Sequence, residues 1–135
     1  METVDYVALT IRGETLDPQQ VTERLQVEPT KGFRRGDLEV HPTPTKFGYW
    51  RYRTKLSTGD LNAHLSDLLD RFEDRAAAVR ELAEMYEVTI TIAADLGRGA
   101  EGELDISSSL VPRVALLNAQ IRLYWFHDGD SESAG

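Results

Sequence analysis

From Tyr6 to Arg12 the apolar residues Val7, Leu9 and Ile11 alternate with Ala8, Thr10 and Arg12. That period of two predicts a strand with one face buried, closed by Gly13. Asp17-Pro18-Gln19-Gln20 follows. Asp17 suits an N-cap, Pro18 a first helical position and Gln20 a capping box. Val21 and Leu25 sit at helical spacing, so 18–26 is a short helix that Pro29 stops. Thr30 to Val40 fits a short edge strand or a loop, and Pro42 and Pro44 make 41–47 a loop. Tyr49 to Leu56 alternates again. Trp50, Tyr52, Thr54 and Leu56 share one face, and Tyr49, Arg51, Arg53 and Lys55 the other.

Past Ser57-Thr58-Gly59-Asp60, an apolar stripe of Leu61, Leu65, Leu68, Leu69, Phe72, Ala76, Val79, Leu82 and Ala83 recurs at three- and four-residue steps. This predicts a long amphipathic helical region, with a break near Glu73-Asp74 where Asp74 caps a second helix. Tyr86 to Ala93 is a strand with Val88, Ile90 and Ile92 inward. The glycines at 97, 99 and 102 predict a hairpin turn into a short strand, Glu103 to Ile106. Ser107-Ser108-Ser109 caps a helix with Pro112 in its first turn, ending near Asn118. Ala119, Ile121, Leu123 and Trp125 alternate in a final strand. Residues 1–127 form one domain, and 128–135 are a polar tail. Amphipathic helices interspersed with one-faced strands predict a two-layer α+β sandwich, a largely antiparallel sheet with helices packed on one face. The first six elements follow the ferredoxin-like order β-α-β-β-α-β, and a last β-α-β extends it.

Composition narrows the chemistry. With 41% hydrophobic and 28% charged residues, the 135-residue chain is an ordinary globular sequence. It has no cysteine, which excludes disulfides, thiolate metal sites and cysteine nucleophiles. No apolar run is long enough to span a membrane, and the N-terminus lacks the basic and apolar regions of a signal peptide, so a cytoplasmic protein is expected. The net charge of −8 argues against general nucleic-acid binding. The charge is uneven: residues 31–55 carry seven basic side chains and two acids, Asp37 and Glu39. A cationic segment on an acidic body can meet an anion, an acidic partner surface or the protein's own acidic helix.

The ordered set Leu9-Thr10-Ile11-Arg12-Gly13-Glu14, Leu16-Asp17-Pro18, Val21-Thr22, Leu25 and Glu28-Pro29-Thr30 resembles the bacterial family labelled domain of unknown function 4279. Gly36-Asp37, Gly48-Tyr49-Trp50, Leu61-Asn62-Ala63-His64-Leu65, Leu68-Leu69 and the strand Ile121 to Trp125 continue the pattern. The resemblance covers nearly the whole chain. It implies a small single-domain bacterial protein with no established activity, and it brings no catalytic residues with it.

No sequence motif signals catalysis. Phosphate-loop, nucleophile-elbow and zinc-protease patterns are absent. His41, His64 and His127 are not spaced to share a metal, and a boundary or surface place is expected for His64. Asp67, Asp70, Glu73 and Asp74 fall on the polar face of the long helix, where a solvated surface is the default. Neither a cofactor nor a metal is expected.

The stripe Tyr49, Arg51, Arg53 and Lys55, with Arg34 and Arg35 beside it, is the candidate binding surface, since aromatic and guanidinium groups together hold phosphates, carboxylates and bases. Alternatively, its arginines pair with acids on neighbouring strands, such as Glu87 or Glu103, or the face meets a second copy. The reading is a non-catalytic binding or interaction module. Its partner is another protein, as in a toxin–immunity pair, or a second copy in a homodimer. The alternative is a regulator that binds a small anionic ligand or nucleotide on the Tyr49/Arg51/Arg53 face. An enzyme with a site around His41, His64 or Tyr49 is the third.

Overall fold

The computed structural model describes residues 3–38, 43–95 and 103–126. Its centre is strand β1, Thr3–Gly13, which pairs on both edges. On one side it lies antiparallel to β3, Gly48–Arg53, with Leu9 opposite Tyr52 and Ile11 opposite Trp50. On the other it lies antiparallel to β4, Glu87–Asp95, with Leu9 opposite Ile90 and Ile11 opposite Val88. An extra residue at Asp5 shifts the pairing between Val4 and Tyr6. Val4 and Val7, three apart, therefore both turn into the core. A short edge strand, β2 (Lys31–Phe33), pairs with β3, so the edge-strand reading of 30–40 holds over three residues. The other edge is β5, Gln120–Phe126, parallel to β4. The sheet order is β2-β3-β1-β4-β5. Its first four strands carry the ferredoxin-like arrangement, with β5 added outside β4.

Helix α1, Pro18–Leu25, starts where the sequence predicts: the Asp17 carboxylate accepts from the Gln19 amide at 3.0 Å. Helix α2, Leu61–Phe72, is capped by Asp60, which accepts from the Ala63 amide. The break at Glu73-Asp74 is a 3₁₀ turn over Glu73–Arg75. Asp74 does not cap helix α3, Ala76–Met85, whose N-cap residue is Arg75 and makes no side-chain cap bond. The core lies between these helices and one sheet face. Trp50, wholly buried, and Tyr52 both meet Phe72 edge-on, with centroids 6.0 and 5.7 Å apart. The Trp50 indole N–H donates to Thr22 Oγ1 at 3.0 Å, so its one polar atom is satisfied.

His64 is fully buried, not at the boundary. Its Nε2 lies 2.7 Å from the Thr58 carbonyl and its Nδ1 2.6 Å from Thr54 Oγ1. A carbonyl only accepts, so Nε2 carries the hydrogen and Nδ1 accepts from the threonine hydroxyl. Thr54 Oγ1 in turn accepts from the Val7 amide at 3.0 Å. The relay ties β1, the end of β3 and the start of α2 together.

The region after β4 departs from the reading of the sequence. Glu103 to Ile106 is not a strand. Its backbone is engaged by a side chain: Asn62 Nδ2 donates to the Asp105 carbonyl and Asn62 Oδ1 accepts from the Ser107 amide. The place beside β4 goes to β5, and a parallel neighbour requires a crossover, which residues 103–119 complete. Helix α4 is only Val111–Ala115, without a side-chain cap. The serines form the preceding turn, where the Ser107 carbonyl accepts from Leu110 and Val111. Strand β5 is an edge, and of its helix-side residues only Ile121 borders a depression shared with the short helix α4. Ile121, Leu123 and Trp125 alternate as predicted but stay 43–55% exposed. Leu56 lies beyond β3 and is exposed as well. The glycine turn at 97–102, His41, His127 and the tail at 128–135 lie outside the described residues. Among the described residues no helix is long and apolar enough to cross a membrane.

Candidate functional site

Strand residues of the opposite parity point away from the helices and form a second, uncovered face. Pairing lays these residues out in rows across the sheet. In the middle row Thr10 on β1 stands between Arg51 on β3 and Thr89 on β4. One row along, Arg12 stands between Tyr49 and Glu87. In the other direction come Ala8 and Thr91, then Tyr6 opposite Ala93. Strand β5 adds Arg122 opposite Thr91 and Tyr124 opposite Ala93. Small residues in the middle and long ones on the flanks leave a groove of about 310 Å³. Its floor is Ala8, Thr10 and Thr89, and its walls are Tyr49 and Arg51 on one side, Arg122 and Tyr124 on the other.

The groove is cationic. Arg12, Arg51 and Arg122 line it, against the single carboxylate of Glu87. Arg12 Nη2 bonds Glu87 Oε2 at 2.9 Å, and Arg122 Nη2 lies 3.6 Å from Oε1. The Arg12 hydrogen bond, aided by the charges of Arg12 and Arg122, holds the Glu87 carboxyl below its ordinary range. Arg12 also lies over the Phe47 ring at 5.2 Å. Arg51 has no carboxylate partner among the described residues. Its Nε and the Thr89 hydroxyl are buried polar atoms without a hydrogen-bond partner among the described residues. Thr89 is only 2% exposed. An unmet buried polar group costs about 1–3 kcal/mol, and here two border one groove.

Of the six residues singled out from the sequence, Tyr49 and Arg51 line this groove. Arg53 sits at its end, its guanidinium 5.1 Å over the Tyr6 ring. Lys55 lies beyond β3, beside a different depression near Tyr52 and Arg71. Arg34 and Arg35 pair with Asp17 at 3.3 Å and Glu14 at 2.9 Å, away from the groove. The basic segment is thus dispersed. Glu87 does pair with arginines, as the sequence suggested, but with Arg12 and Arg122. These two, with Tyr6, Ala8, Thr10, Thr89, Thr91 and Tyr124, are the groove residues that the sequence did not single out. Their one signal is strand parity, which needs the pairing register to be useful.

The remaining candidates are structural. Asp70 and Glu73 hold Arg113 at 2.8 and 2.5 Å, and Asp67 pairs with Arg71 one turn on. Ser107 and Ser109 bond each other through their hydroxyls. Among the described residues no three His, Asp or Glu side chains are grouped to hold a metal ion.

Four strands in ferredoxin-like order with a fifth added in parallel, helices on one face and a cationic groove on the other, define a two-layer α+β protein with an open sheet. The chain belongs to the family described as Domain of unknown function (DUF4279), whose match spans residues 2–125. No curated protein and no solved structure matches it.

Proposed function

We propose that the chain is a cytoplasmic, non-catalytic binding module for a small anion, seated in the groove over Thr10 between Arg51 and Thr89. The observation that carries this reading is the pair of buried donors, Arg51 Nε and Thr89 Oγ1, unmet among the described residues and bordering one concave surface. Three guanidinium groups against one carboxylate supply the charge. Of the three roles considered from the sequence, the geometry favours the ligand binder. No catalytic step is assigned, because Glu87, the groove's carboxylate, is engaged by two arginines.

The test is calorimetric titration of inorganic phosphate into the wild type, Arg51→Gln and Thr89→Val, with folding checked by circular dichroism. Binding by the wild type, weakened at least about tenfold in Arg51→Gln and less in Thr89→Val, is expected, since a charge-assisted hydrogen bond exceeds a neutral one. Equal affinities in all three, or no binding by the wild type, would overturn the reading.

A second reading, the protein-interaction module, is supported by β5. Among the described residues its outer edge pairs with no strand, and Ile121, Leu123 and Trp125 remain exposed on the helix side. Another protein, including the toxin of an immunity pair, or a second copy would dock there. Sedimentation of wild type and Leu123→Lys checks the second-copy form: a dimer lost in the variant is expected.

A further inference from the structure

We infer that β5 pairs with β5 of a second copy, antiparallel about a two-fold axis at Leu123, so that two sheets become one. This deepens the second-copy form of the interaction reading and rests on it. The first argument is where exposed apolar surface collects. Val111 of α4, its C-cap Leu116, and Ile121, Leu123, Tyr124 and Trp125 of β5 are all exposed. Among the described residues, the large hydrophobics exposed elsewhere are Leu38, Leu56 and Met85. Single exposed apolar residues are ordinary, but a contiguous patch marks an interaction surface. The edge backbone beside this one adds a row of hydrogen-bonding groups.

The second argument is the match of the strand to itself. An axis at Leu123 sets Leu123 opposite its own copy, Ile121 opposite Trp125 and Gln120 opposite Phe126, so all seven residues of β5 pair. Arg122, the strand's one charge, falls opposite Tyr124, a cation beside a ring. An axis at Arg122 would oppose two guanidinium groups and leave Trp125 and Phe126 past the end of the partner strand. An axis at Tyr124 would leave Gln120 and Ile121 past it. A slip of one residue would set Arg122 against Leu123 and turn the two helical layers to opposite sides.

The third argument is shape. Ile121 walls an apolar depression of about 210 Å³ with Ile106, Val111, Val114, Ala115 and Ala119. In the Leu123 register the second copy's Trp125 stands opposite Ile121 on the same face, and its indole enters that depression. Each copy gives a knob and receives one, as a two-fold contact demands. Tyr124 and Trp125 are each 55% exposed. Together they offer about 200 Å², against about 800 Å² per partner in a standard stable interface. Ile121, Leu123 and α4 add to this, giving a transient pair that separates on dilution.

The chain has no cysteine, so a single introduced one reports only on its own mate. Directly opposed residues lie about 4.5–5.5 Å apart at Cα, within disulfide reach, and residues four apart along a strand lie about 13 Å away, beyond it. Copper–phenanthroline oxidation of concentrated Leu123→Cys is expected to give a disulfide dimer. Ile121→Cys and Trp125→Cys give none alone and one when mixed. Sedimentation of the wild type is expected to show a dimer, at least about tenfold weaker in Trp125→Ala with folding checked by circular dichroism. If Leu123→Lys abolishes the dimer but Leu123→Cys does not cross-link, the register falls and the second-copy reading stands. A dimer that neither Leu123→Lys nor Trp125→Ala weakens overturns both. A wild type that stays monomeric at every concentration also overturns both and leaves the edge to another protein.

Discussion

His64 shows what a single polar side chain does inside an apolar layer. It satisfies Thr54 through one nitrogen and Thr58 through the other, and Thr54 passes the connection to the Val7 amide. Replacing it with alanine leaves a cavity, an unmet carbonyl and a hydroxyl that has lost its acceptor. His64→Ala is expected to cost about 2–4 kcal/mol in urea unfolding. Glu87 does the opposite work in the groove, holding arginine charge in check. Glu87→Gln frees Arg12 and Arg122, and phosphate titration should show binding about three- to tenfold tighter. Arg12 depresses this carboxyl in the folded chain, so the unfolded chain takes up its proton more readily. Its contribution to stability is whole above the ordinary carboxylate range and disappears as pH falls through the depressed folded value. Unfolding midpoints between neutral pH and about pH 3 should therefore fall less for Glu87→Gln than for the wild type.

Among the elements, the ones read correctly from the sequence are those whose period reports burial directly. Val7, Leu9 and Ile11 alternate because one face of β1 is covered, and Leu61 to Leu82 repeat at helical steps because α2 and α3 lie flat on that face. Glu103-Leu104-Asp105-Ile106 also alternates, since Leu104 and Ile106 are partly buried, yet it forms no ladder. What decides it is Asn62, more than forty residues away, whose amide occupies that backbone. β5 carries a strand pattern with no buried face because edge position is set by topology, not by composition. The start of β3 depends on a close approach equally invisible in the sequence. A Cβ at Gly48 would lie 1.9 Å from the Leu16 carbonyl oxygen, a backbone atom with little freedom to yield. Gly48→Ala should destabilise the fold by more than about 2 kcal/mol in chemical denaturation, through overpacking against the β1–α1 connection.

At the scale of the whole molecule, the groove belongs to no single element. Parity within β3 picks out Tyr49 and Arg51, but joining them to Thr10, Thr89 and Arg122 requires the register of four strands drawn from positions 6 to 124. The sequence holds that information only through the packing of the other face, which fixes which residues are left to line this one. A ligand held between Arg51 on β3 and Arg122 on β5 would bridge the sheet from near one edge to the other. Phosphate should then slow amide hydrogen exchange in β5 more than in β1, which is already paired on both sides. The placement of the two tryptophans gives the molecule its own optical division of labour. Trp50 is sealed under the helices, while Trp125 rides on the exposed edge strand at 55% exposure. A collisional quencher such as iodide reaches only the second, so release of β5 alone changes the emission of one indole. Global unfolding exposes both, and the native chain can therefore distinguish fraying of its edge from loss of its core without any added label.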